Sequence, residues 1–213
     1  MKIGVIGASG KAGNLILNEA IERGHTVTAI VRDAGKVRNQ SVSVLEKDIF
    51  ALKAEDLRDF DILVNAFNAP SGEEHQHVEA GRVLIEALKG APSTRLIVVG
   101  GAGSLFVDEA KTVRNFDTPD FPEDYLATAK NMGQNLEELK NSNGIQWTYI
   151  SPAAFFDDEG KRTGTYQKGG EQLLFNSKGE SYISYADYAI AVLDEIENPQ
   201  HINARFTVVA EAE

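Results

Sequence analysis

Residues 4–13 read GVIGASGKAG, with Gly7, Gly10 and Gly13 three apart. Residues 2–6, KIGVI, form a short apolar run before them. After them, residues 14–23 place Leu15, Ile16, Ala20 and Ile21 at helical spacing, and Gly24 ends the pattern. The order is strand, glycine turn, helix. A tight turn needs a residue without a β-carbon, and a pyrophosphate approaches closely only over bare backbone. The free amides at the start of the helix then face the anion. The spacing is GxxGxxG, one residue longer in its first gap than GxGxxG, and no GxxxxGK[ST] loop is present. This junction predicts dinucleotide binding; the alternative is a glycine turn with a purely structural role.

Outward from that turn, strands alternate with helical segments. Strands are expected at 27–31, 42–46, 61–65, 95–99, 147–151 and 206–209. Helices are expected at 73–88 and 122–140, with a helical turn or short helix at 52–57. Repeated βα units of this length predict an α/β fold: a doubly wound, mostly parallel sheet with helices on both faces. Over 213 residues this makes a single domain, 1–213. Two stretches break the rhythm, 100–123 and 153–182. The second reads as a loop with a small hairpin. Long connections past the carboxyl ends of strands form the ligand crevice of such sheets, so both are substrate-side insertions.

Composition narrows the function. There is no cysteine, which excludes disulfides, thiol nucleophiles and thiolate metal sites. Lys and Arg number 21 against 32 Asp and Glu, and the net charge of -11 argues against nucleic-acid or anionic-membrane binding. No targeting segment and no apolar stretch of about 20 residues is visible. A cytoplasmic protein is expected.

The end of the second strand, AIVRD, places Arg32 about 20 residues beyond the turn, where a guanidinium pairs a 2′-phosphate. Lys36, Arg38 and Lys11 add positive charge. NADP(H) is therefore favoured over NAD(H). Asp33 reverses the preference if it, rather than Arg32, faces the ribose. Asp48 and Ile49 are candidates to flank adenine, and Asn65, Ala66 and Phe67 to lie under the cofactor. Both sets also fit ordinary strand-end residues.

The opening KIGVIGASGKAGNLILNEAIERGHTVTAIVRD, with WTYISPAAFF at 147–156 and ISYADYAIAVLDEIE at 183–197, resembles the atypical short-chain dehydrogenase/reductase superfamily. Within it the chain is similar to the NADH-flavin reductase group, related to the flavin/biliverdin reductases and the NmrA-like proteins. The resemblance implies a nicotinamide cofactor held by the turn Gly7, Ser9, Gly10, Lys11, Ala12 and Gly13, with Arg32 at the 2′-phosphate. It also implies that Gly100, Gly101 and Ser104 line the nicotinamide side, and that Pro152, Ala153 and Phe155 cover it.

Typical short-chain dehydrogenases carry Tyr and Lys four apart on one helix. Here EDYLATAKNMG sets Tyr125 and Lys130 five apart, about 140° out of alignment. Carbonyl–alcohol chemistry of that kind is not expected. Flavin reduction needs mainly orientation of two rings, and Phe155 and Phe156 offer an apolar platform; core packing is the plainer reading of both. His75 and His77 point about 200° apart on a helix, so no metal site is expected. The acidic run Asp157, Asp158 and Glu159 reads as a solvated loop. The leading expectation is a reductase of a flavin or quinone-like planar acceptor. Alternatives are a non-enzymatic dinucleotide-binding regulator with a protein partner, and a reductase or epimerase of another small metabolite.

Overall fold

The computed structural model describes residues 1–212. The elements in chain order are β1 (Lys2–Ile6), α1 (Lys11–Glu22), β2 (Thr26–Val31), β3 (Ser43–Glu46), α2 (Ala54–Leu57), β4 (Ile62–Asn65), α3 (Gln76–Lys89), β5 (Arg95–Val99), α4 (Glu123–Lys140), β6 (Gln146–Ser151), β7 (Phe155–Asp157), β8 (Gln167–Gly169), β9 (Tyr182–Ser184), α5 (Tyr185–Glu197) and β10 (Ala204–Val209). One sheet runs β3-β2-β1-β4-β5-β6-β10-β8. Every neighbouring pair in it is parallel except β10 and β8. This is the doubly wound α/β arrangement that the βα rhythm predicts.

The central strands are apolar because both faces are covered; Ile62 to Asn65 of β4 are all buried. Ile3, Val5, Ile16, Leu17, Tyr188 and Leu193 belong to the core cluster on one face, which joins α1 and α5 to the sheet. Leu63, Leu84, Leu88, Leu96, Leu136 and Tyr149 belong to the cluster on the other, beneath α3 and α4. The chain winds outward from β1 through β2 to β3, then returns to β4 and winds the other way. The reversal between β1 and β4 opens a crevice at their carboxyl ends.

Two parts depart from the sequence expectation. The stretch 153–182 holds no hairpin. Instead β7 pairs in parallel with β9, Phe155 opposite Tyr182, while β8 adds to the edge of the main sheet against β10. And residues 185–197, given no element above, form α5, whose Ser184 hydroxyl caps it by accepting from the Asp187 amide at 3.0 Å. No helix among the described residues is long and apolar enough to cross a membrane.

Candidate functional site

The glycine turn is built by close backbone contact. Gly7 has φ +74, and a β-carbon there would lie 2.5 Å from the Ala66 carbonyl oxygen. One on Gly13 would lie 2.2 Å from the Gly7 oxygen. These two glycines let α1 and β4 press against the turn. Gly10 differs: its side is open except for the Gly7 oxygen at 3.2 Å. It is the N-cap of α1, offers no side-chain acceptor, and no acid stands in the helix's first turn. The amides of Lys11, Ala12 and Gly13 therefore need an acceptor from outside, and half-buried Ser9 stands beside them. The cradle fits a pyrophosphate.

Lys11 is tied down. Its ammonium forms an ion pair with Asp158, carried by the segment after β7. The acidic run is thus partly engaged: the neighbouring Asp157 accepts from the Tyr182 hydroxyl at 2.8 Å. Arg162 pairs with Glu19 of α1 at 2.8 Å, and the Asp187 carboxylate accepts from the amides of Thr163 and Gly164, both at 2.9 Å. These contacts strap the stretch 158–164 to α1, through Lys11 and Glu19, and to the start of α5, through Asp187.

At the end of β2, Arg32 is exposed and has no hydrogen bond or ion pair among the described residues. Asp33 has a structural task. Its Oδ1 accepts from the Gly35 amide at 2.9 Å and caps the short 3-10 turn Ala34–Lys36. Lys36 stands 4.0 Å from Asp33, and Arg38 is exposed. Asp48 likewise caps the turn Ile49–Ala51 through the Phe50 amide at 2.9 Å, and Ile49 is buried. The aromatic surface near this edge comes from Phe50, which meets Phe67 edge-on at 5.9 Å.

Asn65 ends β4 and accepts from the Phe67 amide at 3.1 Å, which turns the chain. Behind it a cavity of ≈ 10 Å³ is lined by Asn65, Phe67, His77, Met132, Asn135 and Tyr149. His77 Nε2 accepts from the Ala69 amide at 3.4 Å, and burial lowers the imidazole's pKa, holding it neutral. His75 stays on the surface. At the end of β5 the Tyr149 ring covers Gly100, and its hydroxyl accepts from the Gly101 amide at 3.3 Å. Burial pushes that phenol up to about 12.

Ser104 lies inside the insertion. It is 2% exposed, and its hydroxyl accepts from Arg205 of β10 at 2.8 Å. Pro152 and Ala153 are buried where β6 ends. The two phenylalanines after them part company. Phe155 is 61% exposed, 5.6 Å from Tyr182. Phe156 tucks against Tyr185 at 3.9 Å and Tyr188 at 4.8 Å. Tyr125 is 66% exposed, and neither it nor Lys130 has a hydrogen bond or ion pair among the described residues.

The glycine turn, Arg32, Asn65, Gly100 and Phe155 all lie at one edge of the sheet, past the carboxyl ends of β1, β2, β4, β5 and β6. Sequence reasoning did not find Phe50, Asn135, Tyr185 or the Asp158 contact with Lys11. Of these, only the aromatic character of Phe50 and Tyr185 was a visible signal.

Residues 7–199 match the family model for NAD(P)H-binding. The chain is 67% identical to the Bacillus subtilis protein YwnB over 213 residues, the full length of both. Among solved structures it is similar to a protein from Streptococcus pneumoniae described as a putative NADH-flavin reductase. They share 44% identity and a TM-score of 0.94, over 99% of this chain and 100% of that one. A protein from Bacteroides thetaiotaomicron described as a putative epimerase is 36% identical. Its TM-score is 0.88, over 100% of this chain and 98% of that one.

Proposed function

We propose, on the premise that this chain belongs to the NAD(P)H-binding family, that it is an NADPH-dependent oxidoreductase reducing a planar flavin- or quinone-like acceptor. The observation that carries this reading is the free Arg32 guanidinium beside a phosphate turn, with Asp33 occupied in capping its own loop. A 2′-phosphate gives that guanidinium a two-pronged acceptor; a 2′-hydroxyl does not.

The chain's residues divide the work by position. The amides of Lys11, Ala12 and Gly13 hold the diphosphate, and Arg32 the 2′-phosphate. Asn65 to Phe67 carry the middle of the cofactor, and Gly100, Gly101, Pro152 and Ala153 supply a smooth floor under the nicotinamide. When bound, the dihydronicotinamide supplies the hydride. The exposed Phe155 then gives a flat apolar acceptor a surface to lie on. No aligned Tyr–Lys pair is needed, because ring-to-ring transfer depends chiefly on orientation. The likeness to the Streptococcus pneumoniae protein supports the choice of acceptor.

A second reading, a dinucleotide-binding regulator without turnover, is favoured by the separation of Tyr125 and Lys130. One experiment decides between them. The protein is mixed anaerobically with NADPH and FMN or menadione, and absorbance is followed at 340 nm. The reductase reading expects oxidation well above the rate without protein. Tight NADPH binding without turnover on either acceptor overturns it and leaves the regulator.

A further inference from the structure

The chain has six tyrosines, and their hydroxyls divide into two groups. Four are satisfied within the fold. Tyr149 donates to the Met132 carbonyl at 3.3 Å and Tyr188 to the Ile150 carbonyl at 2.7 Å. Tyr166 donates to Asp194 at 2.7 Å and Tyr182 to Asp157 at 2.8 Å. The other two, Tyr125 and Tyr185, have no partner among the described residues.

These two come from opposite sides of the sheet. Tyr125 sits in the first turn of α4, which covers one face, and Tyr185 is the first residue of α5, which covers the other. α4 follows β5 and α5 leads into β10, both strands parallel to β6, so the two helices begin at the same, carboxyl edge of the sheet. Tyr185 is the better fixed of the pair. Its ring lies on Phe156 with centroids 3.9 Å apart, and Ser184 caps the helix that begins with it. Phe156 is itself packed on Tyr188, which is fully buried. A phenol fixed on a rigid aromatic base, half-buried and without an internal acceptor, keeps its donor free for a group that enters the crevice.

We infer that Tyr185 recognises the acceptor by donating its phenolic hydrogen bond to a carbonyl oxygen of a planar substrate held between the α4 and α5 sides of the crevice. The inference rests on the reductase reading for the place of the acceptor, and it deepens that reading by naming the recognised group. Flavins and quinones share it: a carbonyl on a conjugated planar ring. In the overall reaction with a quinone, NADPH, a proton and the quinone give NADP⁺ and the hydroquinone. The hydride goes from the dihydronicotinamide to the quinone, the proton comes from solvent, and Tyr185 bonds the oxygen on which negative charge develops.

The test is a binding measurement without cofactor, using lumiflavin, which has no phosphate to be drawn to the glycine turn. Quenching of its fluorescence is titrated with the native protein and with Tyr185→Phe, which keeps the ring and removes the hydroxyl. Loss of one hydrogen bond to a neutral acceptor predicts about fivefold weaker lumiflavin binding in the variant. NADPH affinity and melting temperature, measured in parallel, are expected to stay the same. Equal lumiflavin affinity in the two proteins overturns the inference. So does a variant that loses lumiflavin and NADPH affinity together, which marks Tyr185 as structural. Failure of the native protein to bind either lumiflavin or menadione overturns it too. Native binding of lumiflavin without NADPH-driven turnover brings down the reductase reading alone, and the titration still reads the Tyr185 contact.

Discussion

Lys11, the residue that opens α1, is ion-paired with Asp158, 147 positions later in the chain. The cation nearest the phosphate turn is therefore already held by a carboxylate. A diphosphate arriving at the amides of residues 11–13 competes with Asp158 for that ammonium. Asp158→Asn removes the competitor. Both side chains are partly exposed, so the gain is modest: NADPH binding is expected to tighten about two- to fivefold, with little change in melting temperature. Isothermal titration at low and high salt checks it. The difference between native and variant protein should shrink as salt rises; unchanged affinity at low salt counts against Lys11 as a phosphate ligand.

The glycines of the turn separate fold from binding. Gly13→Ala drives a β-carbon to 2.2 Å from the Gly7 oxygen and 2.8 Å from its carbonyl carbon, both backbone atoms that cannot swing aside. About 3 kcal/mol of stability is expected to go, with dinucleotide binding. Gly10 has φ -77 and ψ 170, which alanine adopts freely. Its new methyl meets only the Gly7 oxygen, at 3.2 Å, yet stands where an anion would approach. Gly10→Ala should keep its melting temperature within about 2–4 °C while losing more than about tenfold in NADPH affinity. Chemical denaturation paired with calorimetry distinguishes the two variants.

That contrast also marks what the sequence made legible. The order strand–glycine turn–helix is local, and so is the βα alternation; both survive as β1, α1 and the central parallel strands. The α5 segment escaped because nine of its residues are buried, Tyr188 to Leu193 without a break. A helix covered on most sides loses the polar stripe that reveals its period. β8 escaped for the opposite reason: Gln-Lys-Gly is short, polar and on an edge, with no alternation to read. In the candidate site, the positions of Gly7 in the turn and of Arg32 at the end of β2 follow from local spacing alone. The roles of Asp33, Ser104 and Lys11 do not, because their partners lie on other segments or depend on local turn geometry. Ser104 is bonded to Arg205, 101 residues away, and no spacing rule reaches that far.

Arg32→Ala tests cofactor choice. The substitution leaves Asp33 capping its own loop through the Gly35 amide, as in the native protein. Loss of a bidentate charge-assisted contact is expected to weaken NADPH binding about 10- to 100-fold, and NADH binding less than about threefold. Dissociation constants for both dinucleotides, taken from nicotinamide fluorescence, give the ratio. Equal weakening of the two removes Arg32 from the 2′-phosphate.

Arg205 joins the two irregular stretches of the chain, 100–123 and 153–182. From β10 its guanidinium reaches the Ser104 hydroxyl and carbonyl in the first, at 2.8 and 3.1 Å, and Glu171 in the second, at 2.5 Å. Its side chain is fully buried, and Glu171 is also 3.6 Å from Lys140 of α4. Burial pushes the Glu171 carboxyl up, but Arg205 and Lys140 outweigh it and hold the pKa below the usual glutamate value. A carboxylate depressed in the folded state stabilises fully above its unfolded pKa of about 4.3, and that contribution fades as pH falls through the folded value. Glu171→Gln leaves Arg205 buried without its counter-charge. With Ser104 still accepting, the cost at neutral pH is expected to be about 2 kcal/mol, or roughly 4–8 °C in melting temperature. Melting curves from pH 7 down to acid pH check the sign: the gap between native and variant protein should hold above the unfolded value of about 4.3 and narrow as pH falls below it through the lower folded value. A gap that is constant with pH would mean that packing, and not the charge pair, holds the two stretches together.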